Sequence, residues 1–267
     1  MKSVVITGSS KGIGLGLSKE FLKRECSVTL SARSKNKLDE EIRKLGEEFG
    51  ADKVMGQTCD VTDITQVQAL WDAAKQKFNK VDIWINNAGI TNSTRLLWEL
   101  DPAEIAPVIN TNITGLIYGS QVALKGMLEQ GFGQIYDMEG FGSGDMTRPG
   151  MTIYGTTKRA VRYFTESLIE EAKDKPIQIG TLGPGMVVTD FMLDNLRQMP
   201  KEQQEEVKTV YNILADKVET ITPFLVENIL KNDKTGTKID WLTPEKANAR
   251  FEDEKYLTRD ILGEFGF

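Results

Sequence analysis

The chain has 267 residues, 40% hydrophobic and 27% charged, enough to bury one large core, with no apolar run long enough to cross a bilayer. Lysine and arginine number 33 against 39 aspartate and glutamate, and the net charge of -6 repels phosphate backbones and anionic membrane surfaces, so nucleic acid is not an expected partner. Histidine is absent, which removes Ser-His-Asp and Cys-His nucleophilic schemes and His-ligated metals, and Cys26 and Cys59 have no Cys-x-x-Cys spacing for a zinc knot or a disulfide framework.

Strands are expected near 3–7, 27–32, 53–58, 81–85, 133–138, 177–182 and 237–241. Amphipathic helical patterns lie between them near 12–24, 36–49, 64–78, 99–129 and 152–173. This alternation predicts the α/β class: a doubly wound parallel sheet of Rossmann type in three layers, forming a single domain over 1–244. A helical insertion at about 190–231 separates the last two strands, and its polar stretch 199–206 reads either as a solvated helix face or as a mobile lid over a substrate cleft. Residues 245–267 form an acidic tail whose end, Phe265-Gly266-Phe267, docks on a neighbouring subunit, docks on its own cleft or frays. Met1–Ile6 reads as a strand and not as a signal peptide, so a reduced, cytoplasmic protein without an integral membrane segment is expected. No metal site is expected, and EDTA should leave activity unchanged.

The first strand runs into Gly8-Ser9-Ser10-Lys11-Gly12-Ile13-Gly14 and then a helix. Glycines there permit a sharp turn and close approach to a pyrophosphate, whose charge is stabilised by the N-H groups and dipole of the helix N-terminus. The second strand ends at Arg33-Ser34, where an NAD-selective site would carry a carboxylate for the ribose 2'-hydroxyl. Arg33 with Lys11 supplies two cations for a 2'-phosphate, which favours NADPH (NADP) as cofactor. Tyr154 and Lys158 stand four apart on a predicted helix and share a face. An ammonium beside a phenol is expected to lower the tyrosine pKa and let it exchange a proton near neutrality. A kinetic pKa in that range is therefore expected to belong to Tyr154 coupled to Lys158 or to the substrate.

The Gly-rich turn, Asn86-Asn87-Ala88-Gly89, Tyr154-Gly155-Thr156-Thr157-Lys158 and Pro184-Gly185-Met186-Val187-Val188-Thr189 stand in an order and at separations that resemble the short-chain dehydrogenase/reductase family. The resemblance implies that Tyr154 donates a proton to a carbonyl oxygen as hydride arrives from the nicotinamide, and that Lys158 also binds the nicotinamide ribose. It further implies that Asp60 and Val61 lie beside the adenine, that Asn87, Ala88 and Gly89 line the nicotinamide ribose, and that Pro184, Gly185, Val187 and Thr189 close the site, with Val187 and Thr189 at the carboxamide. Within Asn110-Thr111-Asn112-Ile113-Thr114-Gly115 the family's Asn-x-x-Gly pattern selects Asn112 over Asn110 for a water-mediated proton relay from Lys158.

The family's substrate-orienting serine is missing: the count back from Tyr154 reaches Phe141, and the count from the strand reaches Gly140. Ser143, in Gly140-Phe141-Gly142-Ser143-Gly144, is the nearest hydroxyl and the candidate substitute. The longer segment Tyr136-Asp137-Met138-Glu139-Gly140-Phe141-Gly142-Ser143-Gly144, followed by Tyr154 to Arg162, Leu182 to Asp190 and Ile239-Asp240-Trp241-Leu242-Thr243-Pro244, is similar to chlorophyll b reductases. That likeness implies NADPH-dependent reduction of a ring formyl group to hydroxymethyl, in a cleft bordered by Trp98, Phe141, Met146, Met186, Phe191 and Met192. A reductase of a smaller ketone (acyl, sterol or sugar type) and a non-catalytic NADP(H)-binding sensor or scaffold are the competing functions. Tyr118, Val122, Tyr163 and Phe164 exceed what one sheet-facing stripe requires, and the family commonly pairs through these helices, so a homodimer or homotetramer is expected.

Overall fold

The computed structural model describes residues 1–199 and 201–267. Every residue of β1 (Ser3–Ile6) and β2 (Ser27–Ala32) is buried. Such strands need helices on both faces, which is the condition for a parallel sheet. Between and after them come α1 (Gly12–Lys23), α2 (Lys35–Phe49), β3 (Val54–Thr58), α3 (Ile64–Phe78), β4 (Ile83–Asn86), α4 (Pro102–Ile109), α5 (Gly115–Gln130), β5 (Gly133–Met138), α6 (Thr152–Glu171) and β6 (Ile177–Gly183). The chain continues through β7 (Met186–Val188), α7 (Asp190–Gln198), α8 (Lys201–Leu214), β8 (Ala215–Lys217), α9 (Val218–Lys231), β9 (Thr237–Asp240), α10 (Pro244–Glu252) and α11 (Glu254–Leu257).

The seven expected strands form one parallel sheet in the order β3-β2-β1-β4-β5-β6-β9. Strand order reverses between β1 and β4, and the loops leaving their carboxyl ends part there to open a crevice. Leu17 and Phe21 of α1, Leu38 and Leu45 of α2 and Leu225 and Ile229 of α9 fill the core on one face. Val67, Leu70 and Trp71 of α3, Val122 and Met127 of α5 and Leu168 of α6 fill the other.

Two segments differ from the sequence expectation, and a third, the tail, takes one of the alternatives left open there. The helix expected over 99–129 is interrupted: Pro102 starts α4, Pro107 lies within it, and a widened π turn at Asn110–Thr114 separates it from α5. The stretch 190–231 divides by function. Its last helix, α9, buries Ile221, Leu225, Val226 and Ile229 in the same core as α1 and is a layer helix, so only α7 and α8 stand over the cleft. β8 pairs in parallel with β7 in a separate two-stranded sheet. The tail is docked on its own chain, with Leu262 and Phe267 packed among Val188, Met192, Leu196 and Met199. Asp216 on β8 fastens it, accepting hydrogen bonds from Arg250 (2.6 Å), Arg259 (3.1 Å) and Trp241 (2.7 Å).

Candidate active site

At the end of β1, Gly8 has a φ of 64°, and a Cβ there would stand 2.8 Å from the Ala88 Cα, so glycine lets the turns after β1 and β4 touch. Asn87 fastens the two turns, its Nδ2 donating to the carbonyls of Thr7 (2.8 Å) and Gly8 (3.0 Å). Lys11 occupies the N-cap of α1 without a side-chain cap, which leaves the helix's first N-H groups for an anion. Ser10, Lys11, Gly12, Ile13, Gly14, Arg33, Ser34, Asp60, Val61, Asn87, Ala88, Gly89, Pro184, Gly185, Val187 and Thr189 line one cleft of about 1130 Å³, which Gly8, Tyr154 and Lys158 also line. Ser9 departs from its expected place: fully buried, it donates to the Ile6 carbonyl (2.7 Å) and accepts from the Ser31 N-H (2.9 Å), bracing the turn from behind. A dinucleotide fits this cradle, with Arg33 and Lys11 available to a 2'-phosphate and the α1 N-terminus to the pyrophosphate.

Tyr154 and Lys158 project from α6 into the same cleft, the ammonium 5.8 Å from the tyrosine ring centre. Lys158 Nζ donates to the Met138 carbonyl at the end of β5 (2.8 Å). Burial brings Lys158 down to about 8, opposed by the Asp137 and Glu139 carboxylates. Burial also pushes the Tyr154 phenol above its ordinary value, so the lowering expected from Lys158 is not what this geometry produces: the ammonium turns toward a backbone carbonyl, and desolvation of the phenolate outweighs it. Asp137, wholly buried, is pushed up to about 6 by burial against three donors, Asn86 (2.8 Å), Thr165 (2.7 Å) and Ser120 (3.5 Å).

The π turn presents Asn112 inward and leaves Asn110 exposed. Asn112 Nδ2 donates to the Ile90 carbonyl (2.9 Å) and Thr157 Oγ1 (3.0 Å), and its Oδ1 accepts from the Ile90 N-H (2.9 Å). It thereby locks the loop after β4 to the α6 turn that carries Tyr154 and Lys158.

Ser143 does not replace the missing serine. Its hydroxyl donates to the Lys158 carbonyl (3.2 Å) and accepts from the Gly140 N-H (3.2 Å), and the residue is buried between loop and helix. The cause is Gly142, with a φ of 98°: a Cβ there would lie 2.5 Å from the Gly155 Cα, and this close approach turns Ser143 away from the cleft. At Gly140 a Cβ would stand 2.7 Å from the Tyr154 hydroxyl, so a serine at that place and the tyrosine in this position exclude each other. Phe141, Met186, Phe191 and Met192 do line the cleft, whereas Trp98 and Met146, expected at its border, are 81% and 68% exposed outside it. Among the other lining residues, Asn92, which accepts from the Tyr154 N-H (3.2 Å), and Arg148 had no motif to announce them, and Glu139 stands in the segment that resembles the chlorophyll b reductases without a role assigned to it.

Residues 2–201 match the family model described as short chain dehydrogenase. The chain belongs to the short-chain dehydrogenase/reductase family and is an oxidoreductase acting on carbonyl or hydroxyl groups. It is 36% identical over 257 residues to chlorophyll(ide) b reductase NOL, chloroplastic, of Oryza sativa subsp. japonica, covering 93% of this chain and 73% of that one. It is 32% identical over 261 residues to probable chlorophyll(ide) b reductase NYC1, chloroplastic, of the same plant, spanning 92% of this chain but only 50% of the relative. Among solved structures, ElxO with NADP bound superimposes with a TM-score of 0.76 at 28% identity, covering 90% of this chain and 97% of the other. No helix among the described residues is long and apolar enough to cross a membrane.

Proposed function

We propose that the chain reduces the formyl group of chlorophyll b, or of a similarly bulky apolar aldehyde, to hydroxymethyl with NADPH. The observation that carries this reading is one cleft that joins an anion-accepting Gly-rich turn, the Tyr154–Lys158 pair and an apolar wall of Phe141, Met186, Phe191 and Met192. Similarity to the chlorophyll(ide) b reductases supports the pigment as substrate. When bound, NADPH supplies the hydride. Tyr154 gives its hydroxyl proton to the carbonyl oxygen as the C-H bond forms, so aldehyde, hydride and proton become a primary alcohol. The Lys158 ammonium, 5.8 Å from the ring centre, offsets part of the burial cost of the resulting phenolate without bringing the phenol below its ordinary pKa, and Asn112 holds the loop and helix that position both. The test is a carbonyl panel of chlorophyll b, pheophorbides and small apolar aldehydes, each with NADPH and with NADH. Oxidation of NADPH with small ketones but never with a formyl-bearing pigment would replace this reading with that of a smaller-ketone reductase.

Arg33, exposed at the end of β2, carries the coenzyme preference in this proposal. Arg33→Asp is expected to raise the KM for NADPH roughly ten- to hundred-fold, the worth of a charged hydrogen-bonded contact, while leaving NADH use nearly unchanged. Equal effects on both coenzymes would refute the assignment.

A homodimer or homotetramer is part of the same proposal. Val122 is buried in the core and Tyr118 and Phe164 pack against it, so these three are not surplus. Ile109, Ile117 and Tyr163 remain exposed on α4, α5 and α6 and support pairing through those helices. Light scattering at micromolar concentration is expected to give a multiple of the 29.8 kDa chain, and a monomeric mass contradicts it. A reducing compartment such as the cytoplasm is proposed from the free, buried state of Cys26 and Cys59.

A further inference from the structure

Most arginines of the chain hold a carboxylate: Arg24 meets Glu20, Arg43 Glu47, Arg162 Glu166 and Arg197 Asp194, while Arg250 and Arg259 share Asp216. Arg148 does not. It is half-buried in the segment between β5 and α6, in the wall of the cleft. Among the described residues its guanidinium meets only the thioether of Met199, Nη2 to Sδ 3.8 Å, across the substrate end of the cleft. A guanidinium offers five N-H donors, and a thioether is a weak acceptor for one of them. The other cations of the cleft wall, Lys11, Arg33, Lys37 and Lys158, lie at the cofactor cradle or in the catalytic pair.

A guanidinium set in the cleft wall and paired with no carboxylate among the described residues is open to an anionic ligand group, and its charge-assisted bonds to one are roughly twice as strong as neutral ones. We infer that Arg148 is a carboxylate-binding residue, so that among apolar carbonyl compounds the chain prefers those with a free carboxylate remote from the reacting carbonyl, and within the proposed function chlorophyllide b over its ester chlorophyll b. A planar monoanion matches the guanidinium fork. A dianion is disfavoured because Asp194 and Glu206 also face the cleft, the first tied to Arg197 at 2.9 Å and the second exposed at its rim. The inference rests on the proposed function only in placing the carbonyl at Tyr154.

Two acid and ester pairs test it: chlorophyllide b with its methyl ester, and a 3-oxocholanoic acid with its methyl ester, each titrated into protein saturated with NADP. The free acid of at least one pair is expected to bind roughly ten- to hundred-fold tighter than its ester. Arg148→Met should bring the acid down to the affinity of the ester, and Arg148→Lys, which keeps the charge without the fork, should retain part of the preference. Equal affinities within both pairs, no binding of either acid, or a preference that survives Arg148→Met overturns the inference. Preference confined to the steroid pair upholds Arg148 and counts against the pigment, whereas reduction of chlorophyll b without any acid preference overturns Arg148 and leaves the proposed function standing.

Discussion

Tyr154→Phe is expected to lower kcat for carbonyl reduction by roughly 10²- to 10⁴-fold, the usual worth of a positioned general acid, while NADPH binding stays nearly intact. The substitution removes one oxygen and little packing. The ring remains against Phe191, centroids 5.8 Å apart, and the backbone N-H of residue 154 keeps its bond to Asn92. No histidine is present to take over the proton. The pH dependence follows from the same pair. Lys158 is charged below its pKa of about 8 and neutral above it, so support for the phenolate is lost, and the wild-type rate falls, as pH rises through about 8. An inflection near 6 has a candidate other than Tyr154, because Asp137, pushed up to about 6, changes the charge facing Lys158. A steady-state pH profile checks both limbs, and a Tyr154→Phe enzyme within about tenfold of wild type would remove the tyrosine from its role.

Features set by short-range chemistry were legible in the sequence. Val4-Val5-Ile6 followed by Gly8 to Gly14 encodes a buried strand, a left-handed turn and a helix start within a dozen residues, and the four-residue step from Tyr154 to Lys158 needs only a helix to bring the pair to one face. Features set by long-range contact were not. The direction of Ser143 depends on how closely Gly142 approaches Gly155, and the interruption of the long helix at Asn110–Thr114 goes with bonds from Asn112 to Ile90 and Thr157. Arg148 meets Met199 across 51 positions of chain, with no periodicity to announce it. The same holds for the choice between a docked and a frayed tail, because the carboxylate that organises its arginines lies on β8, a three-residue strand.

That carboxylate is the second site where a single change should be felt strongly. Asp216→Ala is expected to destabilise the docked tail by about 3–5 kcal/mol, the usual cost of removing one partner from a buried ion pair. Arg250 is 2% exposed, its Nε already lacks a partner, and without Asp216 only the Leu214 carbonyl (3.0 Å) would meet its guanidinium. Arg259 and Trp241 lose an acceptor at the same time, and the Tyr256 ring, held between Arg250 (4.5 Å) and Arg259 (4.7 Å), loses its frame. The main sheet does not depend on this network, so the damage should be local: faster amide exchange and proteolysis in 245–267 and in α7 and α8, with β1 to β6 still protected. Because α7 and α8 also wall the substrate end of the cleft, the KM for the carbonyl should rise, while NADPH, whose adenine and pyrophosphate ends belong to the β1 to β4 side, should lose less affinity, and only through Val187, the strand partner of Asp216, and Thr189 beyond it. Asp216→Asn, which keeps an oxygen acceptor but not the charge, should fall between wild type and alanine. A tail that exchanges no faster in Asp216→Ala than in wild type would mean that the apolar seat of Leu262 and Phe267 alone holds it down, and that the buried ion network adds nothing to the shape of the cleft.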